Sequence, residues 1–208
     1  MKTHAFAFAQ DVDQQIEKLS DQAFHLREGR SKRLQEELLP ISRFAVNLKV
    51  PGLHVEVEAF ENNGAADAHI SISGYNAMEF DVQVTYDYSY EESLRRELLH
   101  ADGFAPGAGE ITRDKNTKKI VATMAAVDHD GHAHVISQRL VAMFKRKANM
   151  AYVPGTVLLL AFDEVALCGH GQWSKLMSAL EDDGCFKASK YRWVFLINCA
   201  NNELRQAA

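Results

Sequence analysis

Two stretches in the middle of the chain carry acidic and amide side chains at spacings that suit metal binding. Asp67 begins the first stretch, shortly after Glu61, and the second contains Asp81 and Gln83. Hard divalent cations bind several oxygens that converge from neighbouring backbone elements. If the two stretches are adjacent strands, these side chains are candidate ligands for Mg²⁺ or Mn²⁺.

A second group of metal-type ligands lies in the segment Asp128-His129-Asp130-Gly131-His132-Ala133-His134. In an extended chain every second residue of this segment would share one face, and imidazole with carboxylate suits zinc, nickel or iron. A plainer interpretation is that Asp130-Gly131 forms a turn and that the acidic residues precede a helix, where they interact favourably with its dipole. Both interpretations stay open at this stage.

The candidate ligands at Asp67 and Gln83 depend on a hairpin. Polar and apolar residues alternate over residues 53–60, 67–73 and 79–86, which predicts three strands. The connections Asn62-Asn63-Gly64 and Gly74-Tyr75-Asn76 have turn composition, so the strands should form an antiparallel meander. A turn centred near Tyr75 places Asp67 opposite Gln83 and puts His69 opposite Asp81 on the same face.

Helical periodicity and buried strands surround this meander. Residues 10–48 are predicted to be helical, with a break at Gly29 and a new short helix that begins at Pro40. Further helices are predicted at residues 90–100, 134–150 and 172–180, and short strands flank a basic turn at residues 113–116. The continuously apolar runs 156–162 and 193–197 are typical of strands buried on both faces, joined by a parallel crossover.

We therefore expect an α/β fold: a mixed sheet with an antiparallel three-strand meander and later parallel strands, flanked by helices. Residues 1–50 should form an N-terminal helical arm that packs on an α/β core of residues 51–208.

The element order and the position of the polar residues resemble the PD-(D/E)XK (restriction-endonuclease-like) superfamily, whose core is αβββαβ. Asp67 opens one strand, and the pair Gln83-Val84-Thr85 lies in the next. In that superfamily the Asp and an Asp or Glu bind the metal, and a Lys positions and polarises the attacking water. The resemblance covers about residues 30–165 in topology and implies that Asp67 is the motif aspartate.

The chain departs from the motif at its second and third positions. Gln83 stands where the second acidic residue belongs, and it can offer a metal an amide oxygen but no negative charge. Thr85 stands in place of the lysine and cannot take over its charge. Taking Asp81-Val82-Gln83 as the pair restores the carboxylate but still lacks the lysine.

Some members of the superfamily carry the lysine on a nearby helix instead. In this sequence Lys145 and Lys147 are candidates on the predicted helix 134–150, and Arg139 is a further cation there. The resemblance equally admits a catalytically degenerate member.

These residues lead to a functional hypothesis. We predict a divergent nuclease-like protein that hydrolyses phosphodiesters of nucleic acid with Mg²⁺ or Mn²⁺. The predicted catalytic residues are Asp67, Gln83 and Lys147, and the predicted metal ligands are Glu61, Asp67 and Asp81. The alternative is a non-catalytic binding or assembly module with a lost active site, whose partner is a second copy of the chain or another protein.

Composition narrows the class of protein. The chain has 208 residues and a net charge of −5, which disfavours a sequence-independent nucleic-acid binder but leaves room for a local basic groove. No apolar run approaches the ~18 residues of a membrane span. A short apolar start and three cysteines without a close pair predict a cytoplasmic protein with free thiols. These cysteines are Cys168, Cys185 and Cys199.

Overall fold

The computed structural model describes residues 1–61, 64–107, 109–126, 129–148, 155–165, 167 and 169–208. In these ranges the main sheet has seven strands in the order β1-β2-β3-β4-β7-β8-β9, and β5 and β6 form a separate hairpin. The main-sheet strands are β1 (Thr3–His4), β2 (Leu53–Ala59), β3 (Ala68–Gly74), β4 (Met78–Tyr86), β7 (Val157–Phe162), β8 (Trp193–Asn198) and β9 (Glu203–Gln206). The hairpin strands are β5 (Ile111–Arg113) and β6 (Ile120–Ala122).

Helices precede, connect and cover the strands. They are α1 (Ala5–Glu17), α2 (Asp21–Leu26), α3 (Arg30–Arg33), α4 (Leu39–Asn47), α5 (Tyr90–Asp102), α6 (His129–Ala148) and α7 (His170–Asp183). A π-helical turn (Leu34–Leu38) joins α3 to α4, and a 3-10 turn (Cys185–Ala188) follows α7. None of the helices in the described ranges combines the length and the apolar character that crossing a membrane requires.

The sheet confirms the predicted α/β class and its mixed strand directions. Strands β2, β3 and β4 form the antiparallel meander, and β4, β7 and β8 are parallel. The pairing of His69 with Asp81 is the predicted register. The turn residues Asn62 and Asn63 lie outside the described residues.

Helices cover the two faces of the sheet unequally. On one face, α1 and α4 pack over an apolar layer that runs across β2, β3, β4 and β7, with Phe44 of α4 and Leu159 of β7 fully buried. On the other face, α6 and α7 cover Leu158 and Leu160 of β7 together with β8. The same face of β2 and β3 carries half-buried polar side chains such as Glu58 and His69.

The predicted short helix at Pro40 is confirmed as α4, which begins one residue earlier, at Leu39, and holds Pro40 in its first turn. The turn before α4 is π-helical: the Leu39 N–H donates to the Leu34 carbonyl, five residues back. This wider turn shifts the hydrogen-bonding pattern just ahead of Pro40, a residue that has no N–H to donate. Pro40 itself is buried.

The extended conformation considered for residues 128–134 is also wrong where the structure describes it. Helix α6 already begins at His129, so His132 and His134 point to different sides of a helix. His132 Nε2 lies 2.8 Å from Glu164 Oε2, and His134 pairs with Gln138. Asp128 lies outside the described residues.

The described cysteines, Cys185 and Cys199, are free thiols as predicted, and Cys168 lies outside the described residues. Burial raises the pKa of the Cys199 thiol far above its ordinary value.

Candidate functional site

The register of β3 and β4 brings Asp67 and Gln83 into direct contact, which confirms the predicted opposition. Gln83 Nε2 donates to Asp67 Oδ2 over 2.7 Å, and the Val84 N–H donates to the same oxygen over 2.7 Å. Gln83 is only 8 % exposed. The opposite amide orientation would press the amide oxygen against a carboxylate oxygen, so the donor assignment follows from chemistry.

Charged side chains from two helices act on the Asp67 carboxyl. Burial raises the pKa of Asp67 most strongly, and the Val84 N–H bond lowers it. The negative charge of Glu37 raises this pKa further, whereas the positive charges of Lys147 and Arg33 lower it. Lys147, predicted from sequence as the relocated lysine, therefore lies within electrostatic range of Asp67.

Two charged side chains near Asp67, those of Glu37 and Arg33, were not among the residues predicted from the sequence. They stand four residues apart on the helix that passes through the π turn, with 3.4 Å between Arg33 Nε and Glu37 Oε2. Arg33 also donates to the carbonyl of Phe60, whose N–H donates to the Asp67 carbonyl over 2.9 Å. The signal in the sequence was an i,i+4 charge pair on the helix just before the meander.

The other predicted cations of α6 have separate roles. Lys145 Nζ lies 3.2 Å from Asp183 Oδ2 on α7. Arg139 donates to Asp87, which directly follows β4 and is buried. Thr85, which the resemblance assigns to the lysine position of the motif, is buried, and its hydroxyl has no hydrogen-bond partner among the described residues.

Glu61 and Asp81, two of the predicted metal ligands, lie at a neighbouring cavity. They line it together with Glu58, and its volume is about 440 Å³. Asp81 Oδ1 lies 2.8 Å from His69 Nδ1, whereas Asp67 lies apart from this lining, against Gln83. The side chains thus form two separate pairs, and a shared metal site for Glu61, Asp67 and Asp81 stays a prediction.

The residues around Asp67 fit a hard divalent cation by type but only partly by arrangement. Asp67 and Glu37 bring carboxylates, and Gln83 brings an amide oxygen. However, the amide nitrogen of Gln83 faces Asp67, so a cation on this edge requires the amide to rotate. In the described part of the chain, no three His, Cys, Asp or Glu side chains are grouped closely enough to hold a metal ion.

Comparisons of this chain with protein-family models, with curated proteins and with solved structures gave no match.

Proposed function

We propose that the chain is a divergent nuclease-like protein, a metal-dependent phosphodiester hydrolase that acts on nucleic acid. One observation carries this proposal: Asp67 meets Gln83 across two adjacent strands while the charge of Lys147 acts on the same carboxyl. The element order supports it, because α4, β2, β3, β4, α6 and β7 follow the αβββαβ order of the superfamily that the sequence resembles, with α5 and the β5–β6 hairpin inserted between β4 and α6.

Each side chain has a defined task in this proposal. Asp67, with the amide oxygen of Gln83, would hold Mg²⁺ or Mn²⁺, and Glu61 and Asp81 remain candidate additional ligands. When bound, such an ion lowers the pKa of its water and stabilises negative charge on a phosphoryl group. Lys147 supplies positive charge beside the phosphate.

A second candidate function is a non-catalytic binding or assembly module. It is favoured by the bond from the Gln83 amide to Asp67, because this uncharged donor joins the two strands where paired carboxylates would need a cation. The partner of such a module is a second copy of the chain or another protein.

A metal titration separates the two functions. We would measure the melting temperature and the cleavage of single- and double-stranded DNA in chelator and then with added Mg²⁺ or Mn²⁺. The hydrolase predicts that the metal stabilises wild type by mass action and starts cleavage. Asp67→Asn should lose both effects, and Lys147→Met should lose cleavage alone.

Glu79→Gln is the matched control, because Glu79 is an acidic residue on the same sheet face that lies against His69 instead, with 3.7 Å between Glu79 Oε2 and His69 Nε2. It should keep cleavage and most of the metal response. If added metal shifts the melting temperatures of wild type and Asp67→Asn by the same amount and neither cleaves DNA, the hydrolase is excluded and the binding module is favoured.

A further inference from the structure

A second concave site lies beyond the carboxyl ends of β4 and β7, the edge at which open α/β sheets commonly bind ligands. Its volume is about 420 Å³, within the range of small-molecule sites. Helices α2 and α5, the loop after α5 and the loop after β7 line it.

Arg27 is built into the wall of this cavity. Its side chain lines the cavity although the residue is only 5 % exposed. The backbone at Arg27 has a φ of 49°, a left-handed conformation that residues other than glycine seldom adopt. Nη2 donates to Asp163 Oδ2 over 3.0 Å, and the guanidinium lies 4.9 Å from the centre of the Tyr86 ring.

Two of the remaining donor atoms of this guanidinium make no hydrogen bond within the described protein, although Nη1 lies 3.9 Å from Oε1 of the buried Glu36 in an ion pair. Arg27 Nε and Nη1 are buried without a hydrogen-bond partner among the described residues, and so is Nε of the neighbouring Arg96. Arg96 Nε lies 3.1 Å from Glu92 Oε1, but the alignment does not make a hydrogen bond. Because buried donors are normally satisfied, these point to a ligand that brings acceptor oxygens.

The charges around the cavity limit the charge of that ligand. Arg27, Arg95 and Arg96 line it together with Glu92, Asp163 and Glu164. Glu164 is paired with His132, and Arg95 donates to the carbonyls of Pro106 and Gly109. The three arginines and three carboxylates of this lining balance in charge, and Arg96 Nη2 also lies 3.7 Å from Asp163 Oδ2. Among anions, a ligand with a single negative charge is therefore repelled least, whereas all three carboxylates would repel a polyanion.

The mouth of the cavity is apolar. Phe24 of α2, Leu99 of α5 and Val165 of the loop after β7 line it, and Val165 is 81 % exposed. Such a wall suits the body of a small organic molecule.

We propose that this cavity binds a small organic monoacid. Its carboxylate accepts hydrogen bonds from Arg27 and Arg96, and its apolar body lies against Phe24, Leu99 and Val165. Arginine is suited to this because its planar fork matches the two oxygens of a carboxylate.

The test uses acids with matched neutral amides. We would measure binding to the full chain by calorimetry and by thermal shift for benzoate against benzamide and for hexanoate against hexanamide. Inorganic phosphate and a dinucleotide phosphodiester serve as further arms. We expect the acids to bind and to raise the melting temperature, the amides to have no effect, and the phosphate arms to bind more weakly.

Variants then locate the site. Arg27→Lys keeps the charge but loses the fork, and Arg96→Gln loses the charge; each should weaken acid binding by about tenfold to a hundredfold. Arg113→Gln, a cation outside this lining that pairs with Glu97, should leave it unchanged. If Arg27→Lys does not fold, Arg96→Gln decides.

Three results would overturn the proposal. They are equal responses to an acid and its amide, no response to any acid, and a response to phosphate or to the dinucleotide in the absence of one to the carboxylates. The last result would make the cavity a phosphate site.

Discussion

The parallel and antiparallel halves of the main sheet differ in how many of their faces are covered by helices. In the parallel half, every residue of β7 is buried because helices cover both faces. In the antiparallel half, β3 alternates buried with half-buried or exposed residues because helices cover one face. Strand β4 belongs to both halves, and on its polar face Glu79 is exposed, Asp81 is half-buried and Gln83 is buried.

The candidate site lies at the border between these halves. Gln83 is paired with Leu158, whose side chain belongs to the core under α6 and α7, and it also meets Asp67 of the antiparallel half. The same alternating sequence thus makes a half-exposed contact between His69 and Asp81 and, two residues further along β4, the contact of the buried Gln83 with Asp67. This difference shows that the packing of neighbouring helices, rather than the polar–apolar alternation along the strand, decides which polar residues lie in a buried environment suited to catalysis or binding.

The largest expected loss of stability is in the parallel half of the sheet, which helices cover on both faces. Leu159→Ala should lower the free energy of unfolding by about 2–5 kcal/mol, because Leu159 is fully buried and the truncation leaves a cavity. Urea denaturation measures it. Ser71→Ala, on the polar face of β3, is the control and should change stability by less than about 0.5 kcal/mol. A loss well under ~1 kcal/mol for Leu159→Ala would mean that β7 is not a central strand.

At the border between the two halves of the sheet, an added negative charge should lower the stability of the fold. Gln83→Glu replaces the donor amide with a carboxylate facing Asp67, so we expect a loss of about 1–3 kcal/mol at neutral pH in chelator. Added Mn²⁺ or a lower pH should restore stability, because a cation or a shared proton removes the repulsion. Thermal melting with and without Mn²⁺ measures this effect.

The control for Gln83→Glu is Ser73→Glu, which adds a carboxylate on the same sheet face at an exposed position opposite His54 rather than opposite an acidic residue. It should show little response to Mn²⁺. If Gln83→Glu melts identically with and without the metal, Asp67 and residue 83 do not form a metal site, and the hydrolase proposal loses its main support.

Asp67→Asn should have a smaller effect, which appears as a change in how the free energy of unfolding depends on pH. Burial raises the pKa of Asp67 in the folded chain, so the folded state holds the proton more tightly than the unfolded state. This group therefore favours folding most below its unfolded pKa of about 3.9, and the advantage is lost as the pH rises through the folded pKa. Asp67→Asn should remove this loss of stability with rising pH.

Acid titration of the free energy of unfolding measures the difference between wild type and Asp67→Asn. The two curves should diverge as the pH rises and then run parallel. Curves that diverge as the pH falls would show that hydrogen bonding, rather than burial, controls the carboxyl.

The smallest expected loss of stability is in the antiparallel half, where helices cover only one face of the sheet. Measured at about pH 5, where histidine side chains are generally protonated, Asp81→Asn should weaken the contact with His69 and cost about 0.2–1 kcal/mol at low salt. The cost should shrink when salt is added, because partly exposed charges are screened. A salt-independent loss above this range would show that the pair is shielded from water and that the antiparallel half is covered on both faces.

Local patterns in the sequence determined the meander and its register. Period-two alternation and the turn around Tyr75 involve residues close together along the chain, so Asp67 could be placed opposite Gln83 without knowledge of the fold. The buried strands β7 and β8 could be predicted because their continuous apolar runs need cover on both faces. The short edge strands β1 and β9 have no such pattern, and they became visible only through their pairing partners.

Tertiary structure alone decided which charges surround Asp67 and where the second cavity lies. Glu37, Arg33 and Lys147 reach Asp67 from helices that precede and follow the meander, and Arg27 meets Asp163 across a separation of 136 residues. The π turn that precedes α4 also left no mark that the sequence analysis detected. The physical reason is that periodicity reports which side of an element is apolar, whereas the electrostatic environment of a side chain depends on how distant elements pack against each other.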